Sequence, residues 1–412
     1  MSINIITSTL YSEPTGYNFQ RKILKCTTGR LVLISGLGTT SPQGLCYNTS
    51  DDNGDTWNGW IQISSSTTAG SNDAFIDANN NIYIAFTYTG GIKFVKLTYN
   101  AEPQTWSVGT SVIVDNNMSG LPSICQRSNG DLFISGKYYA NNKYLDYAIS
   151  TNGGVSWTGN HSIQINASYS IVSAICFPYS TKIRIIINVQ GGTNNITEWE
   201  YDTGVSSIGN VGTASASSGN YIGFLKISDS EYYTAGRTSS GIKIFKNSSQ
   251  TWDEGTLLSN NTTDNYPTIA SVNGNPVCIW QDYDGSYYNI YYRKWNGTSW
   301  DSEVTITSDS AVDKFPTTCI SDTTYLYTAW STGTTNSWTI YYEAISLVIP
   351  PDTYTKTVSA KARAKNTNTQ TVSAKAKIYG TATYTKTVSA KSRVKYSSVT
   401  KTVSAKAKIE YE

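Results

Sequence analysis

A single histidine, His161, in 412 residues leaves no imidazole cluster to hold a metal and no base for a Ser-His-Asp triad. Cysteine is sparse as well: Cys26, Cys46, Cys125, Cys176, Cys278 and Cys319 never form C-x-x-C and lie inside apolar runs, which predicts buried free thiols. No apolar run reaches the roughly 18 residues of a membrane-spanning helix, so no membrane insertion is expected. The opening Met1-Ser2-Ile3-Asn4-Ile5-Ile6-Thr7 has neither a basic stretch nor a long apolar one, and no secretory signal peptide is expected. Helical periodicity is missing, which removes the strand-to-helix context a phosphate-binding glycine loop needs. Charged residues are 15% of the chain, below the roughly 25% of an average domain. What is abundant is 31 Tyr, 11 Trp and 32 Gly among Ser, Thr and Asn, the composition of an all-β chain of short strands and tight turns.

The strands repeat. Segments beginning at Leu31, Ile82, Leu132, Ile183, Tyr232, Val277 and Leu326 are five-residue apolar runs, spaced by 51, 50, 51, 49, 45 and 49 residues. Each is followed by a short polar loop and another strand, such as Leu45-Cys46-Tyr47 or Ile290-Tyr291-Tyr292-Arg293. A period near fifty is that of a four-stranded propeller blade. The seventh unit ends at Pro350-Pro351 without an outer strand, and Ile3-Asn4-Ile5-Ile6 has no blade of its own. The expectation is a seven-bladed β-propeller over residues 1–349, closed by its N-terminal strand and so free of an exposed sheet edge.

Between third and fourth strands lies a turn motif. Ser50-Asp51-Asp52-Asn53-Gly54-Asp55-Thr56-Trp57 reads S-x-D-x-G-x-T-W, and Ser150-Thr151-Asn152-Gly153-Gly154-Val155-Ser156-Trp157 repeats it with Asn and Ser; Trp106, Trp252 and Trp300 end degenerate copies. The motif resembles the Asp-box of the sialidase-like (BNR-repeat) propellers. The resemblance implies a structural role for Ser50, Asp52, Gly54, Trp57, Ser150, Asn152, Gly154 and Trp157, on the face opposite the substrate site. It also implies, for an enzyme, three arginines around a substrate carboxylate, a Tyr–Glu nucleophile pair and an Asp acid/base. Arg21 stands near the family's first arginine without its F-R-I-P motif, and Gly36-Leu37-Gly38-Thr39-Thr40-Ser41 carries no carboxylate where the acid/base belongs. No catalytic residue, metal or cofactor is therefore assigned. Arg30 and Arg127, at strand ends or turns, read as solvated surface charges.

The loops between second and third strands collect Tyr88, Tyr138, Tyr139, Arg237, Gln281, Asp282, Tyr283, Asp284, Tyr287 and Trp338. Aromatic planes beside amides and carboxylates suit sugar rings, whose C–H faces stack while their hydroxyls need directional hydrogen bonds. The same tyrosines equally serve to cover a β surface, and Asp282 with Asp284 reads either as a solvated pair or as a hard-cation site.

After Pro351 the composition changes. Thr357-Val358-Ser359-Ala360-Lys361-Ala362-Arg363 recurs from Thr371, Thr387 and Thr402, with Val, Ala and Ile alternating against Ser, Lys and Arg, a period-two strand signal. Residues 350–412 form a small repetitive β-strand module whose thin apolar faces need pairing with one another, another subunit or another protein. Its eleven Lys and two Arg against Asp352, Glu410 and Glu412 give a net +10, and the preceding residues carry 18 basic and 26 acidic side chains, or −8; the overall +2 is a cancellation. The lysines read as an anionic-surface contact or as solubilising strand charges, and the acidic propeller makes nucleic acid an unfitting ligand. Together these features suggest a structural or receptor-binding protein of a virion surface, phage-like, or of an extracellular appendage. In that reading the propeller displays a face for a cell-surface glycan or receptor, and residues 352–412 join other subunits of a multi-copy assembly. The alternatives are a sialidase-like or other glycan-processing enzyme and a purely architectural subunit.

Overall fold

The computed structural model describes residues 3–6, 14–17, 20–38, 42–66, 71–166, 168, 170–190, 196–202, 207–214, 222–263, 265–308, 310–319, 321–334, 337–347, 354–363, 370–379, 384–393 and 401–410. Every regular element among them is a strand. The chain forms two compact units, 1–347 and 348–412.

The first unit is a seven-bladed propeller built on antiparallel four-stranded meanders, with one further short strand in each of blades 2, 5 and 6. Blade 1 runs Ile23–Lys25, Leu31–Leu37, Gly44–Ser50 and Ile61–Ser64; blade 2 runs Asn72–Ile76, Ile82–Tyr88, Gly91–Asn100 and Val112–Asp115. Blades 3 to 6 begin with innermost strands Ser123–Gln126, Ser170–Tyr179, Gly223–Ser228 and Asn265–Val272. Blade 7 holds Asp313–Thr318, Tyr325–Thr334 and Ser337–Ser346, and its outer strand is Ile3–Ile6, with Ile3 opposite Tyr342 and Ile6 opposite Ile340. The N-terminal strand thus closes the ring, covering the edge that blade 7 would otherwise expose.

The core lies between blades rather than within them. Seven apolar clusters fill the seven junctions. The second strand of blade 1 shows how: Val32 and Ile34 pack toward blade 2, Leu31 and Leu33 toward blade 7. With both faces covered, such a strand reads as an unbroken apolar run, and each buried Leu or Ile contributes about 1.5–3 kcal/mol. All six cysteines are buried. Burial pushes the Cys26 and Cys46 thiols up to about 12, which keeps them unreactive.

In the second unit the strands are Tyr354–Arg363, Gln370–Tyr379, Tyr384–Arg393 and Lys401–Glu410. Alternate repeats pair in parallel register: Val358 stands opposite Val388, and Val372 opposite Val403.

Candidate ligand-binding face and blade junctions

Chain direction fixes two faces. Loops from second to third strands and the connections between blades share one face, and the turns from third to outer strands lie on the other. All ten residues singled out in sequence fall at the first face, where they form two groups.

One group spans blades 2 and 3. Tyr88 ends a second strand and donates through its hydroxyl to Asn116 Oδ1 (2.5 Å), with Lys93 Nζ 4.6 Å from its ring centroid. Tyr139 donates its backbone N–H to Asn117 O (2.5 Å), and Tyr138 packs edge-on against Tyr144 at 6.2 Å. Tyr139 is 75% exposed.

The other group spans blades 5 to 7. Arg237 Nη2 donates to Thr262 O (2.6 Å), and the residues flanking Thr262 hold Asp282, whose Oδ1 accepts from Asn261 Nδ2 (2.6 Å) and Thr263 Oγ1 (3.3 Å). Asp284 caps its own turn: Oδ1 accepts the amides of Ser286 and Tyr287, both at 2.8 Å, and Oδ2 accepts Asn289 Nδ2 at 2.9 Å. The amides of Tyr287 and Ser286, then Asn289, hold the Asp284 carboxyl below the ordinary carboxylate range. Tyr283 and Tyr287 are 36% and 38% exposed, and Lys314 reaches over from blade 7 to lie 4.2 Å from the ring of Tyr288. Both carboxylates thus order the loops that present the tyrosines, and among the described residues no cluster of three metal-binding side chains occurs. Gln281 and Trp338 are buried: Gln281 Oε1 accepts Phe315 N at 2.9 Å, and Trp338 packs on Phe315 at 5.9 Å. They support the face from beneath.

On the opposite face the two motif turns close as hydrogen-bonded units. Ser50 Oγ accepts Gly54 N (2.8 Å) and donates to Asp52 Oδ1 (2.8 Å), while Asp52 accepts Thr56 N (2.8 Å) and Thr56 Oγ1 (2.6 Å), which pulls its carboxyl down to about 2. Ser150, Asn152, Gly154 and Ser156 repeat the pattern. Each Trp then packs on the preceding blade: Trp57 lies edge-on to Tyr342 of blade 7, and Trp157 to Phe94 of blade 2, both at 5.2 Å.

Tyr342 and Phe94 occupy the same register position. In every blade one third-strand residue faces the fourth residue of the apolar run, giving Tyr47, Phe94, Tyr147, Glu198, Ile244, Tyr291 and Tyr342 in blade order. Trp106 of blade 2 meets Tyr47 at 6.0 Å. In blade 4 the position is a carboxylate, and Trp252 of blade 5 bonds it instead of stacking, Nε1 to Glu198 Oε2 at 2.9 Å.

The arginines serve the same junctions. Arg30 forks onto Asp51 and donates to Gln104 O of blade 2, and Arg127 pairs with Asp131 and donates to Thr181 O of blade 4 (Nε, 3.1 Å). These overturn the reading of both as solvated charges: neighbouring backbone carbonyls at each strand end capture the guanidinium. Arg21 is forked onto Asp73, Nε–Oδ1 3.0 Å and Nη2–Oδ2 2.6 Å. A Tyr–Glu pair does occur, Tyr232 hydroxyl to Glu198 Oε1 at 2.6 Å, but it is sealed in the junction of blades 4 and 5 with Arg184.

Asp146, on the third strand of blade 3, was invisible as a special residue in sequence. It is fully buried, its Oδ2 has no hydrogen-bond partner, and burial, then the Asp115 charge, push its carboxyl up to about 6 against the amides of Tyr147 and His161. The folded state keeps this carboxyl protonated up to about pH 6, so its stability contribution is fully present below pH 4 and is lost as pH rises through 6. Asp146→Asn is expected to gain about 2–3 kcal/mol relative to the parent between pH 4 and pH 7.5. Paired urea titrations at the two pH values measure that difference, and a pH-independent difference would refute it.

No family model matches the chain, and no curated protein does. Among solved structures, an ulvan lyase of polysaccharide lyase family PL25 superposes with a TM-score of 0.59 at 9% identity, covering 84% of this chain and 96% of the lyase. A structure of such a lyase bound to -[GlcA(1-4)Rha3S]- gives 0.58 at the same identity and coverage. A point mutant of NanB sialidase from Streptococcus pneumoniae follows at 0.44 and 12% identity, covering 83% and 70%. A point mutant of Aleuria aurantia lectin in complex with Fucalpha1-6GlcNAc gives 0.45 and 13%, covering 69% and 98%. The lyase shares the fold of this chain; at such identity the likeness extends no further.

Proposed function

We propose that the protein is a non-catalytic glycan- or receptor-binding propeller displayed on a virion or cell appendage, with residues 352–412 docking it to other subunits. The observation that carries the binding half is the group on blades 5 to 7, where Asp282 and Asp284 rigidify the loops and Tyr283 and Tyr287 stand exposed above them. Exposed rings on pre-ordered loops stack on sugar C–H faces at little entropic cost. The −8 propeller and +10 tail support docking of tail to acidic neighbours.

A glycan array probed with the full chain should give a saturable ligand, with Tyr283→Ala/Tyr287→Ala weakening it by about tenfold or more. Deleting residues 352–412 should abolish incorporation into the parent assembly and leave that binding intact. Binding indifferent to both tyrosines would reject the face, and turnover of the bound polysaccharide would replace the reading with an enzyme.

A further inference from the structure

The junction of blades 5 and 6 breaks the pattern of its siblings. Trp300 ends the third-to-outer turn of blade 6, as Trp57 and Trp157 do in blades 1 and 3, but the residue awaiting it on blade 5 is Ile244 rather than Tyr or Phe. Where Tyr342 and Phe94 place a six-membered ring, this junction has an open cleft of about 100 Å³. Ile244 and Tyr233, both buried, line it, and Trp300 and Trp295 stand edge to face at 5.8 Å. The rim is polar. Lys246 Nζ lies 3.2 Å from Glu231 Oε1 and 5.6 Å from the Tyr233 ring centroid, and Asp253 Oδ1 is fixed by the amides of Lys246 and Gly255 at 2.9 Å.

We infer that this cleft is a monosaccharide site that takes one neutral pyranose ring. Shape follows from the repeat: the occupant replaces a flat six-membered ring against an indole. Chemistry follows from the rim, because an ammonium and a carboxylate at the ring edge serve hydroxyl groups, and the carboxylate would find no donor on a plain aromatic ring. Charge follows from the balance, since Lys246 is already paired with Glu231 and the carboxylate of Asp253 on the cleft wall disfavours an acidic sugar. The site lies on the face opposite Tyr283 and Tyr287 and does not depend on the reading of that face.

The test uses the full-length chain with nitrogen-15-labelled indoles, titrated with the methyl glycosides of glucose, galactose, mannose and N-acetylglucosamine, and with phenol and methyl glucuronide for comparison. At least one neutral glycoside should shift the Trp295 and Trp300 indole signals saturably. Ile244→Phe, which restores the ring found at the sibling junctions, should weaken that response by about tenfold or more, and Trp295→Ala should do so without filling the cleft. Tyr283→Ala/Tyr287→Ala should leave it unchanged, which separates this site from the opposite face. Silence of both indoles toward all four neutral glycosides, a response to phenol or methyl glucuronide alone, or parental binding by Ile244→Phe would overturn the inference.

Discussion

Glu198→Ala is expected to destabilise the propeller by about 3–5 kcal/mol, the cost of breaking a buried ion pair from one side. Glu198 is 1% exposed and Arg184 2%. Its Oε1 accepts from Arg184 Nη1 and from the Tyr232 hydroxyl, each at 2.6 Å, and its Oε2 accepts from Trp252 Nε1 at 2.9 Å and Asn247 Nδ2 at 3.3 Å. Three of those donors belong to blade 5, so one carboxylate of blade 4 carries the polar part of the junction. Truncation leaves a buried guanidinium, the buried donors of Tyr232 and Asn247 and the half-buried indole of Trp252 short of an acceptor, and each orphaned buried donor costs about 1–3 kcal/mol before relaxation. Arg184 retains Glu200 at 2.7 Å and the face of Tyr179 at 4.3 Å, which limits the loss. The paired variant Arg184→Met/Glu198→Leu removes both charges together and is expected to be more stable than Glu198→Ala alone. Urea midpoints of the three proteins decide the matter: equal midpoints for parent and Glu198→Ala would show that the network contributes nothing.

Why this network escaped the sequence is instructive. Blade count and closure were legible because apolar runs recur at fixed spacing, and the observed second strands, Leu31–Leu37 through Tyr325–Thr334, fall on them. A propeller strand is covered on both faces, so its hydrophobicity survives any uncertainty of register. The third strand is different. Ile196-Thr197-Glu198-Trp199 reads as an ordinary third strand in which nothing marks Glu198 as special, and only the pairing of Ile186 with Glu198 shows that it occupies the position of Tyr342. Asp146 hides for the same reason, one residue from Tyr147 in an ordinary strand pattern. Connectivity alone gathers the loop residues on one face, yet their order along the chain offers no means of telling Gln281, turned inward to Phe315, from Tyr287, turned out. Arginine roles were the least legible, because beside the nearby Asp51 and Asp131 the guanidinium groups reach backbone carbonyls of the neighbouring blade, Gln104 for Arg30 and Thr181 for Arg127, more than fifty residues away.

The two motif turns allow conformational strain and steric overlap to be separated within one loop. Gly153 and Gly154 both have positive φ, +71° and +93°. A Cβ on Gly153 would meet nothing within 4 Å, whereas one on Gly154 would lie 2.0 Å from Phe94 Cε1. Gly153→Ala therefore carries only the left-handed backbone cost, about 1–2 kcal/mol. Gly154→Ala adds displacement of a buried ring, about 1–3 kcal/mol more. Gly54, at φ +94°, is the more demanding site: its Cβ would sit 1.8 Å from Tyr342 Cε1, and that ring is pinned by its hydroxyl, which donates to Asn53 O at 2.7 Å. Tyr342 also lies on the strand that receives Ile3–Ile6, so the overlap falls on the junction that closes the ring. Gly54→Ala is expected to cost about 3–5 kcal/mol, more than Gly154→Ala and well more than Gly153→Ala, and to expose the amides of the blade 7 strand Ser337–Ser346 selectively to hydrogen exchange. Equal destabilisation by Gly153→Ala and Gly154→Ala would show that backbone strain alone sets the cost, and that the ring packed beneath each turn is free to move.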